Sequence, residues 1–135
     1  MSNPASPPND KQALGRYGES LAVNFLDSQG YRIIERNYQS RRWGEIDIIA
    51  IERDTLAFIE VKTRVGSQML EPYEAVHQRK LRAFKRAAYF YIQQNEENQA
   101  GFTLPQAYRL DFISVFLPSL KSKAEVELFR NIEEW

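Results

Sequence analysis

Two rhythms of apolar residues divide the chain into elements. After a start rich in Pro, Ser and Asn, residues Leu14, Leu21, Ala22, Phe25 and Leu26 recur at helical spacing. This predicts a helix capped by Asp10, running to about Gln29 and ended by Gly30. Tyr31 to Tyr38 (YRIIERNY) reads as a first strand, with Tyr31, Ile33 and Ile34 turned to a core. Residues 46–51 (IDIIAI) and 56–61 (LAFIEV) are β-branched apolar runs of strand length, and the Glu-Arg-Asp-Thr between them is a polar break. They predict a hairpin. A second helix is predicted from about Tyr73 to Gln94, burying Val76, Leu81, Phe84, Ala88, Tyr91 and Ile92. After a polar loop, Ala107 to Leu117 (AYRLDFISVFL) reads as an interior strand in which Asp111 should pair with a basic residue. Glu125 to Ile132 reads as a last edge strand, with Trp135 closing over the core. The order predicts an α/β fold, a central mixed β-sheet flanked by helices.

The hairpin carries charge where a hairpin should be apolar. Asp47 interrupts its first run, and Glu60 and Lys62 interrupt its second. Carboxylates are depleted from strands, and burying one is expensive unless it is paired, hydrogen-bonded or bound to a cation. With the turn centred between Arg53 and Asp54, Asp47 faces Glu60 and Glu45 faces Lys62. Alternation of side chains along each strand then puts all four on one face. Opposed Cβ atoms lie roughly 4.5–5.5 Å apart, so the two carboxylates repel unless something positive lies between them. A hard divalent cation with oxygen ligands meets that need. Lys62, beside the pair, could orient a water or stabilise developing negative charge. The competing reading is an exposed hairpin face with two cross-strand salt bridges.

Composition narrows the chemistry. The 135 residues suit one domain, residues 11–135, after a disordered tail of residues 1–10. There is no cysteine and one histidine, which excludes thiolate zinc sites, a Cys nucleophile and a zinc site built on several imidazoles. No apolar run approaches the roughly 20 residues of a spanning helix, and the N-terminus lacks the pattern of a signal peptide, so a cytoplasmic location is expected. Formal net charge is zero, but residues 1–95 carry 14 Lys+Arg against 11 Asp+Glu, and residues 96–135 carry 4 against 7. Arg41 and Arg42 precede the hairpin, Arg64 ends it, and Arg79, Lys80, Arg82, Lys85 and Arg86 make a dense basic segment of the second helix. Such residues can hold phosphates without reading bases; a solvated helix face and solvated loop charges are the bland alternatives. Gly15 and Gly18 share one helix face and would let another backbone come close. Glu19 flanks the apolar stripe and could reach the sheet; otherwise it is a solvated helix residue.

Asp47 followed by Glu60-Val61-Lys62 resembles the D…(E/D)-x-K core of the restriction-endonuclease-like, or PD-(D/E)xK, nucleases, which include archaeal Holliday-junction resolvases. The blocks Gly15-x-x-Gly18-Glu19, Asn37-Tyr38, Gly44-Glu45-Ile46-Asp47, Phe58 to Arg64 and Arg109-Leu110-Asp111-Phe112 resemble, in order, those of a bacterial group of YraN-like, endonuclease-like proteins. The likeness covers roughly residues 11 to 117. Ile46 stands where many superfamily members have Pro, as is usual in this group. The resemblance implies an αβββαβ core and hydrolysis of DNA phosphodiester bonds, with branched or junction DNA among the candidate substrates. It implies Mg²⁺ or Mn²⁺ held by Asp47 and Glu60, with the Val61 carbonyl and Glu45 as further ligands. Asp47, Glu60, Lys62 and Glu19 are the implied catalytic set. A homodimer is compatible with the resolvase likeness, though no dimer face stands out. The alternatives are a nucleic-acid-binding module without turnover and an RNA-processing enzyme.

Overall fold

The computed structural model describes residues 10–66, 78–95 and 104–134. The elements are α1 (Lys11–Ser28), β1 (Arg32–Gln39), β2 (Glu45–Glu52), β3 (Thr55–Val65), α2 (Gln78–Gln94), β4 (Ala107–Leu117), β5 (Glu125–Phe129) and a single 3-10 turn at Ile132–Glu134. The strands form one sheet in the order β1-β2-β3-β4-β5. Only β3 and β4 run parallel; the other neighbours are antiparallel. The parallel pair follows from the connection, since α2 lies between them in sequence and a crossover returns the chain in the same direction. This is an α/β fold, a five-stranded mixed sheet flanked by two helices, consistent with a restriction-endonuclease-like core. Among the described residues no helix is long and apolar enough to cross a membrane.

Each helix covers one face of the sheet. α1 starts where Asp10 accepts a hydrogen bond from the Gln12 N–H at 3.2 Å, and Gly30, at φ 90°, lets the chain turn away beyond its end. It buries Ala22, Val23 and Leu26 against Ile48, Ala57 and Ile59. α2 buries Phe84, Ala87, Ala88 and Tyr91 against Ile49, Leu56 and Phe58. Leu81 and Ile92, expected in this core, are half-buried at its rim. The predicted start of α2 with Val76 and His77, the N-terminal tail, most of the 65–73 loop and Trp135 lie outside the described residues.

Gly18 sets how close α1 lies to the sheet. A Cβ built on it would overlap Thr63 Oγ1 of β3 and sit 2.9 Å from Thr63 Cβ. Nothing lies within 4 Å of a Cβ on Gly15, so the close approach expected of both glycines belongs to Gly18 alone. The contact brings the next residue, Glu19, down to the strands.

The hairpin keeps the register that its turn predicts, from Glu52 opposite Thr55 to Ile48 opposite Ile59. Arg53, at φ 56°, makes the turn. Beyond Ile48 the pattern changes. Ile48 and Ala50 pack with α1, and Ile49 and Ile51 with α2, as alternation requires. Ile46 should join Ile48 but packs with the α2 side. The alternation of β2 breaks at Asp47, where the strands begin to part.

At the other end of β2 the polar residues are fully matched. Asp111, completely buried, accepts from Arg109 Nε at 3.0 Å and from the Asn131 N–H at 2.9 Å. Arg109 also pairs with Glu52 and donates to the Tyr31 hydroxyl at 2.7 Å. Arg130 reaches Glu52 at 2.8 Å and the same hydroxyl at 3.1 Å. The pairing role expected of Asp111 is what the fold provides.

Candidate functional site

Three elements deliver carboxylates to one place. Asp47 and Glu45 come from the start of β2 and Glu19 from α1, and one oxygen of each lies within 4.8 Å of the others. The Asp47 side chain crosses the strand gap. Its Oδ2 accepts the Val61 N–H at 2.8 Å, so a carboxylate stands where a ladder bond would be. The N–H and C=O of one strand residue point to the same side. The Val61 carbonyl therefore opens toward the same gap.

The electrostatics are those of a surplus of negative charge. Burial pushes the Asp47 carboxyl up to about 7; the Val61 N–H opposes the rise, and the charges of Glu19, Glu60 and Glu45 add to it. Glu19 is raised by burial and by Glu45, against the pull of Arg36 and Asn37. Asn37 sits in the middle of this group. With its amide nitrogen turned to the carboxylates, it donates to Glu19 Oε1 at 3.0 Å and to Glu45 Oε1 at 3.1 Å. Glu45 also accepts from the Gln39 side chain of β1.

Glu60 borders this group and faces another partner. Its Oε2 is buried, with Lys80 Nζ of α2 at 3.4 Å. Burial raises Glu60, and Lys80 and then Lys62 pull it back. Lys62 is exposed, two residues along the same strand. The strict register would set Asp47 against Glu60 and Glu45 against Lys62. The structure instead groups Asp47 with Glu19 and Glu45, gives Glu60 to Lys80, and holds Glu45 from the β1 side. The physical reason is the break at Asp47: where the ladder ends, its side chain turns into the gap between the strands.

The basic residues divide as well. Arg41 and Arg42 are exposed on the β1–β2 turn, and Arg82 and Arg86 on α2. Arg82 and Arg86 line an open groove with Trp43. Lys80 is engaged with Glu60, and Lys85 with Glu133 at 2.8 Å. Arg64, expected at a phosphate, is only 9% exposed and lies beside Phe116 of β4, away from a solvent-facing surface. The Arg79 side chain lies outside the described residues.

Sequence reasoning missed two residues as parts of the site. Asn37 stands inside a strand at φ 54°, a left-handed conformation that Asn tolerates better than most residues, and its place in the Asn37-Tyr38 block of the family resemblance was the available signal. Trp43 lies just before the hairpin, where no apolar periodicity marks it as part of a site.

All the oxygen donors of the carboxylate group are hard ligands, and their uncompensated charge fits a hard divalent cation better than a soft or nitrogen-preferring metal.

The comparisons with known proteins agree with one another. A protein from Caldicellulosiruptor saccharolyticus, described as a UPF0102 protein, is 35% identical over 122 residues, covering 90% of this chain and 98% of that one. A UPF0102 protein of Acetivibrio thermocellus is 36% identical over 127 residues, 94% of this chain and 93% of its own length. One from Chlorobium phaeobacteroides is 54% identical over a shorter stretch of 79 residues, 58% of this chain and 62% of that protein. The family model described as "Uncharacterised protein family UPF0102" matches residues 18–115, a span that holds Glu19, Asn37, Glu45, Asp47, Glu60 and Lys62. The chain belongs to the UPF0102 family, the group of YraN-like proteins.

Proposed function

We propose that this protein is a divalent-metal-dependent endonuclease that hydrolyses DNA phosphodiester bonds. The observation that carries the reading is the placement of Asp47. Its carboxylate lies in the fork between β2 and β3, on the Val61 N–H, with two further carboxylates around it and Glu60 and Lys62 on the adjacent strand. Asp47, Glu19 and Glu45 would hold Mg²⁺ or Mn²⁺, with Glu60 and the Val61 carbonyl at the border of the site. When bound, such a cation supplies Lewis-acid polarisation of a phosphoryl oxygen and activation of water. Lys62 has no lone pair while charged and does not coordinate; it places positive charge where the phosphate gains negative charge. Glu19, oriented by Asn37, is the candidate general base if it does not serve as a ligand. The product would carry a 5′ phosphate, following the resemblance of the D…E-x-K pattern.

The test is a cleavage screen with Mg²⁺ and with Mn²⁺ on linear, flapped and four-way DNA, with Asp47→Asn as the control. Metal-dependent cutting by the wild type, lost in the variant, is the expected result. One observation favours a second reading, a nucleic-acid-binding module without turnover: Glu60 is already paired with the ammonium of Lys80, at 3.4 Å. An inactive wild type that still binds DNA would select it.

A further inference from the structure

We propose that the groove between Trp43 and α2 receives an unpaired nucleobase together with its phosphate, so that the substrate class is nucleic acid with single-stranded or splayed character. The inference rests on the nucleic-acid reading above and adds to it a recognition element that no metal ligand supplies. The groove measures ≈ 320 Å³ and is lined by Trp43, Arg82, Ala83 and Arg86. Two guanidinium groups lie over the indole, Arg86 with its Cζ at 4.7 Å from the ring centroid and Arg42 at 5.2 Å.

The Trp43 backbone is fixed before any ligand arrives. Ser40, 1% exposed, accepts the Trp43 N–H at 3.0 Å and donates to the Gly44 carbonyl at 2.7 Å. The Ser40 N–H donates to the same carbonyl at 3.0 Å. Gly44, at φ 93°, and Arg41, at φ 69°, complete a tight turn that holds up Arg42 and Trp43. The indole is partly buried, packing on the α2-side core.

This arrangement matches a nucleotide in both of its parts. A nucleobase stacks on an aromatic face whatever its identity, and a guanidinium binds phosphate. On binding, a guanidinium leaves the ring for the phosphate and a base takes its place, so neither the π face nor the cation is left without a partner. A base in a continuous duplex is already stacked on both sides and cannot make the exchange; an unpaired base can. Trp43 precedes Glu45 by two residues, so the groove and the carboxylate group lie at the same end of β2.

The experiment reads Trp43 itself. Trp43 and Trp135 are the tryptophans of the chain, so Trp135→Phe leaves Trp43 as the sole indole. Fluorescence titrations are run in EDTA, where cleavage plays no part, with oligo-dT, oligo-rU and a DNA dumbbell that has no free ends. Oligo-dT and oligo-rU should quench the emission and the dumbbell should not; a response to one of the two single strands separates DNA from RNA. Binding by anisotropy should fall about ten-fold for oligo-dT in Trp43→Leu, the order expected for losing one stacked base. It should change less than about two-fold for the dumbbell, where only phosphate contacts act. Trp43→Phe should keep most of the single-strand affinity and guards against a Leu variant that fails to fold. Absent quenching, or equal losses on single-stranded and dumbbell DNA, overturns the proposal. A wild type that is quenched but cuts nothing with Mg²⁺ leaves this site standing and removes the nuclease reading. A cutting wild type whose Trp43 is indifferent to single strands does the reverse.

Discussion

The two ends of β2 hold charged clusters built on opposite plans. At the Glu52 end two carboxylates, Glu52 and Asp111, meet two guanidiniums, Arg109 and Arg130, with Tyr31 and the Asn131 N–H closing the set. At the Asp47 end three carboxylates, Asp47, Glu19 and Glu45, gather in one place, and the Asn37 amide lies between two of them. The titration behaviour follows. Glu52 is held below its ordinary value: burial works to raise it, and the Arg109 hydrogen bond with the Arg130 and Arg109 charges outweighs burial. Asp47 is pushed up to about 7. Both clusters are on one sheet and were folded by one chain, so the imbalance is not a failure of the fold to find partners. A cluster matched within itself serves stability; one left short of positive charge is a place where local consistency is given up, as functional sites do.

The sharpest way to break this comparison is to remove the exposed ammonium of Lys62, which stands beside Glu60. Lys62→Ala should leave metal and DNA binding nearly intact and lower the single-turnover cleavage rate by several powers of ten, about 4 kcal/mol or more of transition-state stabilisation. Lys62→Arg should recover part of it, since a planar guanidinium cannot occupy the same point. A near wild-type rate at saturating Mg²⁺ would take Lys62 out of the mechanism.

The matched end should answer in stability alone. Asp111→Asn leaves the half-buried Arg109 without its full countercharge; removing one partner of a fully buried pair costs about 3–5 kcal/mol, and with Glu52 still on Arg109 the loss should lie near the lower end, about 3 kcal/mol. Urea unfolding should show that loss, while Mg²⁺ affinity by calorimetry stays as in the wild type. A variant as stable as the parent would mean that the network is no more than surface decoration.

What the sequence made legible follows the same division. The elements, the hairpin register from Glu52–Thr55 to Ile48–Ile59 and the pairing of Asp111 could be read because periodicity, turn chemistry and the cost of a lone buried charge are local or pairwise rules. The pairing of Asp47 with Glu60 extrapolated that register one residue beyond its last pair, Ile48–Ile59. The break at Asp47 is caused by a side chain bonding to the backbone of the next strand, which no hydrophobic pattern reports. Asn37 and Trp43 escaped for a related reason: each acts through neighbours from other elements. Lys80 and Lys85 read as free basic residues because their partners, Glu60 and Glu133, are distant in sequence.

Gly18 links the two ends of this logic, since it lets α1 sit on Thr63 and so delivers Glu19 to Asp47. Gly18→Ala should cost about 1–3 kcal/mol through overpacking. It should also weaken Mn²⁺ binding, whereas Gly15→Ala, with open space around it, should do neither. Denaturation and metal titration of the two variants side by side check this, and equal behaviour of the pair would detach α1 from the site.

The smallest effect separates the clusters by pH in the metal-free protein. In the unfolded chain Asp47 titrates near 3.8, and in the folded protein near 7. Between these values the folded state keeps a proton that the unfolded state has released, so stability falls as pH rises through this window and is lowest above about 7. Glu52 works in the other direction. Its folded pKa is lowered, so its contribution is complete above about 4.5 and is lost only in more acidic solution. From pH 5 to 8 Glu52 therefore contributes a constant amount; burial raises Asp111 against its Arg109 and Asn131 contacts, so the share of the acidic end is the part of the slope that Asp47→Asn removes. Asp47 is partly open to solvent, so hydration and salt reduce the effect to about 1 kcal/mol, or roughly 4 °C in the melting temperature. Melting in EDTA should decline by that order between pH 5 and 8. Asp47→Asn should remove most of the decline, because the same His77 remains in both proteins and cancels from the comparison. A slope equal in wild type and variant would show that Asp47 is ionised at no cost, and the contrast between the two ends of β2 would then lose its electrostatic basis.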